Sequence, residues 1–188
     1  VAVVGDITPE QLAPLLDAAL ALLPAAPSRD MSVPETAPQA AARTVLVENA
    51  VTQTLVQFGG GGLKRDDPDY MQAYVMNHIL GGSGSLLSRL GSAIREEKGL
   101  AYYVNSALEP KMQAGEWGGT FATRNDQAAA AVETLKTTLQ SFREKGIGAE
   151  ELAEAKQYLT GSFLQSLDSN ADVANFLITM QLFGLGKD

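Results

Sequence analysis

"LGGSGSLLSRLGSAIREEKGLAYYV", residues 80–104, changes backbone habit three times within one short run. A glycine-rich break at Gly81–Gly84 is followed by Leu86, Leu87, Leu90 and Ile94 at helical spacing. Their stripe predicts a helix from about Leu86 to Lys98, stopped by Gly99. Past that stop, the spacing predicts a strand near 101–109, joined through the turn "EPKMQAGE" to a second strand near 115–123. On the helix, Arg95 shares its face with Ser88, Gly91 and Ser92, whose small side chains leave room beside the guanidinium. Tyr102 and Tyr103 point to opposite faces of the strand, so one of them can share a side with Arg95. A guanidinium and a phenol placed together offer several hydrogen-bond donors and no base. They can grip backbone carbonyls, or the oxygen that becomes negative when an amide is attacked, but they cannot start hydrolysis. Spacing alone favours a plainer arrangement, with Arg95 in a surface pair with Glu96 or Glu97 and both tyrosines packed in the sheet.

Outward from this stretch, helices and strands come in blocks. "VAVVGDI" at the start reads as a buried strand, and Thr8 and Pro9 then open a helix with the stripe Leu12, Leu15, Leu16, Ala19, Leu20 and Leu23. Residues 24–42 form a Pro/Ala-rich connector. "RTVLVE" and "TQTLVQFGG" read as strands, and Asp66 and Asp67 before Pro68 start a helix over "DYMQAYVMNHIL". After the hairpin, Asn125 or Asp126 caps a helix ending at Gly146, a second spans about 149–167, and a third begins near Asp172. Block order of this kind favours an α+β fold, a mainly antiparallel sheet covered by helices, over a doubly wound parallel sheet.

Composition removes several function classes. The chain has 188 residues, a net charge of -8, no cysteine and one histidine, His78. Phosphate backbones would be repelled, so nucleic acid is not an expected partner, and no apolar run is long enough for membrane insertion. One histidine without cysteine cannot build the usual zinc ligand set, so no metal is assigned to this chain. His78 reads as a helix histidine packed near the surface. "GGGGLKR" at 59–65 lacks the phosphate-loop pattern. The 81–84 cluster is either a binding loop that presents backbone N–H groups or a flexible turn between helices.

Taken whole, the 80–104 stretch closely resembles the segment of the pitrilysin/insulinase superfamily, including mitochondrial processing peptidase-like proteins, that carries its substrate-binding Arg and Tyr. "VVGDIT", "LLPAAP", "DDPDYMQAYVMNHILGG" and "EELAEAKQYLTGSF" extend the likeness over nearly the whole chain, as the C-terminal domain of one family unit. The resemblance implies a LuxS/processing-peptidase-like metallohydrolase domain over 1–188, a fragment of a longer chain, with its sheet covered on one face by helices. Two such units would pair as a clam-shell around a peptide chamber. It implies that Arg95 and Tyr102 bind substrate, that Tyr102 also stabilises the oxyanion, and that Gly81, Gly82, Ser83 and Gly84 recognise peptide. Zinc would then be a cofactor of the partner domain or subunit, on an H-x-x-E-H helix that this chain lacks, and the chain alone is expected to be inactive. The expected partners are a zinc-carrying peptidase half and a peptide substrate. The alternative is an inactive peptidase-like scaffold or peptide-binding subunit. The compartment is left open, with the bacterial periplasm or envelope slightly favoured over the cytoplasm.

Overall fold

The hairpin predicted after Gly99 is the centre of the fold. In the computed structural model, which describes residues 1–24, 26, 29–30, 32, 34, 42–82 and 87–186, three strands form one antiparallel sheet in the order β1-β3-β2. They are β1 (Gln53–Gly62), β2 (Val104–Pro110) and β3 (Gly115–Arg124). The helices are α1 (Pro9–Leu20), α2 (Tyr70–Leu80), α3 (Ala128–Lys145), α4 (Ala149–Phe163) and α5 (Asn170–Leu182), with a π-helical turn at Gly91–Glu96. The described residues divide into two compact units, one of residues 1–34 with 161–188 and the other of residues 35–160. Most of the expected connector at 24–42 lies outside the described residues, as do Ser83 and Gly84.

In the second unit, register explains which face is buried. Val56, Phe121 and Val104 lie in one row across the three strands, with Phe58, Gly119 and Ser106 in the next row of the same face. The core forms on that face from Leu80, Leu90, Ile94, Leu100, Ala101, Val104, Phe121, Ala131 and Leu135. Each buried Leu, Ile or Phe there contributes about 1.5–3 kcal/mol relative to exposure. α2 packs against β2, and α3 against the π-helical turn. The alternate residues Leu55, Ala122, Glu116 and Glu109 point the other way and are exposed. The sheet is therefore helix-covered on one face, as expected.

In the first unit, the Thr8 hydroxyl accepts from the Gln11 N–H while the Gln11 side chain accepts from the Thr8 N–H, so α1 begins with a reciprocal cap. Ser169 caps α5 by accepting from the Asp172 N–H, three residues before the expected start near Asp172. Phe163 and Phe176 meet edge to face at 5.5 Å.

Three expectations are corrected. Val1–Ile7 is not a strand, and Val1 and Val3 are 75% and 43% exposed. "RTVLVE" at 43–48 is likewise unpaired, with Val45, Leu46 and Val47 all exposed. Both segments have strand chemistry, but a strand exists only where a second strand takes its N–H and C=O groups, and among the described residues none does; Val1 instead bonds the Gln181 side chain. α1 forms as expected, with none of its residues buried among the described residues. In the predicted 86–98 helix, Leu90 and Ile94 are fully buried but Leu87 is 94% exposed and Ser88 is buried. Leu86 lies outside the described residues. Ser88 takes the inward position because its hydroxyl accepts the Gly91 N–H at 3.1 Å, closing the first turn. No described helix is long and apolar enough to cross a membrane.

Candidate functional site

Arg95 sits next to the fully buried Ile94, in a turn wound wider than an α-helix: the Glu97 N–H donates to the Ser92 carbonyl, an i→i+5 bond. The turn ends at Gly99, whose φ of +58° is left-handed backbone that suits glycine. There the Gly99 N–H donates to the Arg95 carbonyl at 2.9 Å and the Leu100 N–H to the Ile94 carbonyl at 2.8 Å. This reversal sends Leu100 and Ala101 into the core and brings Tyr102 back over the turn. Two further bonds hold it. The Thr123 hydroxyl donates to the Leu100 carbonyl at 2.6 Å, and Lys98 Nζ donates to Thr134 Oγ1 on α3 at 3.0 Å.

The result is a close pair on a rigid base. The Arg95 guanidinium carbon lies 4.6 Å from the centroid of the Tyr102 ring. Tyr102 is 82% exposed, and the Arg95 side chain 31%. The predicted strand begins at Val104, so Tyr102 belongs to the loop and not to the sheet. Glu96 approaches the Arg95 Nε only to 3.9 Å, at the limit of an ion pair. Stacking of this type engages the ring face of Tyr102 and leaves the edge of the guanidinium and the phenol hydroxyl free to donate. Tyr103 is 48% exposed, and the ring that Arg95 stacks on is that of Tyr102.

The glycine break is anchored by residues that the sequence reading passed over. Asn77, buried in the last turns of α2, accepts from Ser106 Oγ at 2.8 Å and from the Trp117 indole at 2.9 Å through one oxygen, while its amide nitrogen donates to the Ser106 carbonyl at 3.2 Å. The Asn77 carbonyl accepts from the Gly81 N–H, and the Gly81 carbonyl from the Ser106 N–H at 2.8 Å. A Cβ on Gly81 would lie 2.7 Å from Ser106 Oγ and 2.9 Å from Leu90 Cδ1, so only glycine fits there without a shift. Gly82 follows, buried beside Asn77. The signal was an asparagine within an apolar helix, four residues before the glycine that ends it.

Elsewhere in the unit, the His78 ring stacks on Tyr158 with centroids 5.0 Å apart, and burial pulls its pKa below the usual histidine value. Arg89 donates to both oxygens of Glu151 at 2.7 and 2.8 Å, which holds the Glu151 carboxyl below the usual range. Among the described residues no group of three or more His, Cys, Asp or Glu could hold a metal ion.

Comparison with known proteins identifies the family and the fold. Residues 1–159 match the family described as the peptidase M16 inactive domain. The chain is 31% identical over 137 residues to the "uncharacterized zinc protease SCO5738" of Streptomyces coelicolor, covering 73% of this chain and 29% of that protein. It is 30% identical over 159 residues to the "non-peptidase homolog YmxG" of Helicobacter pylori, covering 84% of this chain and 36% of that one. Among solved structures, the peptidase M16 inactive domain from Pseudomonas fluorescens superposes with a TM-score of 0.83 at 30% identity, over 97% of this chain and 42% of that chain. The chain thus spans about a third or less of the two curated relatives.

Proposed function

We propose, from the premise that this chain belongs to the peptidase M16 inactive-domain family, that it is the substrate-binding half of a zinc metallopeptidase whose metal lies on another half. The observation that carries this reading is the stacking of Arg95 on Tyr102, with both side chains open to solvent above a fixed turn. Arg95 donates to the main-chain carbonyls of an extended peptide, a grip with little sequence preference. Tyr102 donates its hydroxyl to the scissile carbonyl oxygen as negative charge builds there, a contribution of about 3 kcal/mol for a well-aimed donor. Gly81, Gly82, Ser83 and Gly84 recognise the same peptide. The attacking nucleophile comes from the zinc-carrying half.

One observation favours a second reading, an inactive peptide-binding scaffold: the similar Helicobacter pylori protein is named a non-peptidase homolog. Peptide hydrolysis by this chain alone, then with the zinc-carrying half from the same organism, separates the two. Hydrolysis only in the mixture, reduced by Arg95→Ala in this chain, supports the first; a mixture inactive toward a broad peptide library supports the second.

A further inference from the structure

β2 begins later than its register with β3 requires. Val104 pairs with Phe121, so two residues further back the same register would set Tyr102 opposite Thr123. There the Tyr102 ring would share the face of Val104 and turn into the core. Instead the ladder stops at Val104, and Tyr102 is 82% exposed, with its ring beneath the Arg95 guanidinium. Thr123 meets the Leu100 carbonyl in place of a ladder partner, donating its hydroxyl at 2.6 Å.

Thr123 lies on the same face of β3 as Phe121, and both are 2% exposed. A hydroxyl buried there is costly unless it is bonded, and so is the carbonyl of Leu100, a buried residue outside any helix or strand. One bond satisfies both groups, and it requires the chain to leave β3 before Tyr102. On the other side of Gly99, Lys98 Nζ donates to Thr134 Oγ1 on α3, so the reversal is tethered before and after its glycine. We propose, resting on the reading of Arg95 and Tyr102 as the peptide grip, that Thr123 is a positioning residue for that pair. Its hydroxyl ends β2 at Val104 and so keeps Tyr102 stacked outside the core, where a peptide can reach it. Valine has nearly the shape of threonine but no hydroxyl, so Thr123→Val frees the Leu100 carbonyl and loosens the chain from Gly99 to Val104. Without that bond the pair must be ordered anew each time a peptide binds.

Thr123→Val, and Thr123→Ala as a second form without the hydroxyl, are compared with Thr123→Ser in the full chain, with thermal melts to establish which variants fold. The first measurement is the side-chain Nε–H resonance of Arg95, which the ring current of Tyr102 displaces; Tyr102→Leu marks its position without a ring. The second is affinity for a fluorescein-labelled extended peptide, with Arg95→Ala as the reference. The Arg95 resonance is expected to move toward its Tyr102→Leu position in the valine and alanine variants and to stay in place in Thr123→Ser, which keeps the hydroxyl. Peptide affinity is expected to fall about fivefold without the hydroxyl and less than about twofold in the serine variant. An Arg95 resonance unmoved by loss of the hydroxyl overturns the proposal, as does unchanged affinity in those variants where Arg95→Ala binds more weakly. If Arg95→Ala itself leaves affinity unchanged, the peptide reading fails instead, and the Arg95 resonance alone decides whether Thr123 positions the pair.

Discussion

Asn77→Ala removes one side chain and leaves three groups without partners. The Ser106 hydroxyl, in a residue 2% exposed, loses its acceptor, the Trp117 indole N–H loses its own, and the Ser106 carbonyl loses a donor. A stranded buried polar group costs about 1–3 kcal/mol, but the Ser106 carbonyl can recruit water and Trp117 is only half-buried, so the expected loss is about 3 kcal/mol. For a chain of this size that corresponds to a melting temperature lower by about 6–12 °C. Because the Ser106 N–H donates to the Gly81 carbonyl, the damage should spread through Ser106 to the start of the glycine segment. Amide exchange at Gly81 and Ser106 should accelerate more than at Ala131, which is buried on α3. Calorimetry and exchange mass spectrometry on Asn77→Ala, Ser106→Ala and the double variant provide the assay, with an expected coupling of about 1 kcal/mol or more between the two sites. A loss below about 1 kcal/mol, or strictly additive single effects, would refute the view that this network holds the segment.

Three further outcomes follow from the same geometry. Arg95→Ala should cost less than about 1 kcal/mol in urea unfolding, since an exposed cation–π contact and a marginal ion pair contribute little. The same variant should weaken binding of a fluorescein-labelled extended peptide by about tenfold, a loss of about 1.4 kcal/mol. Ile94→Ala, at a fully buried position, should cost about 2–5 kcal/mol in the same unfolding assay. Glu151 has a carboxyl pKa held below its ordinary value by hydrogen bonds from Arg89, so its contribution is present above the unfolded value and is lost as pH falls through the folded one. The stability gap between the unmodified chain and Glu151→Gln should be at most about 1 kcal/mol at pH 7, because the pair is partly exposed. Urea titrations at descending pH should show that gap closing below about pH 4.3.

The hairpin, the long helices and the stop at Gly99 were legible because each is written locally. A turn between alternating apolar runs gives the hairpin, helical apolar spacing gives the helices, and a glycine sits where φ turns positive. What was misread depends on partners far along the chain. Val1–Ile7 and Arg43–Glu48 have the composition of strands, yet no sequence rule says whether an edge will be there to receive them. Ser88 turned inward because its hydroxyl closes the first turn onto the Gly91 N–H, which left Leu87 outside the helix and exposed. For the site, the approach of Arg95 to Tyr102 could be anticipated from a separation of seven positions and a chain reversal. The Asn77, Ser106 and Trp117 network could not, because it joins three elements separated by up to forty residues.

Turnover of the assembled peptidase with Tyr102→Phe in this chain tests the central claim most directly. Loss of a single hydroxyl aimed at the developing oxyanion predicts a kcat lower by about 100-fold with KM changed less than about twofold. An unchanged kcat, or a loss confined to KM, would show that the phenol does no more than stack beneath the guanidinium.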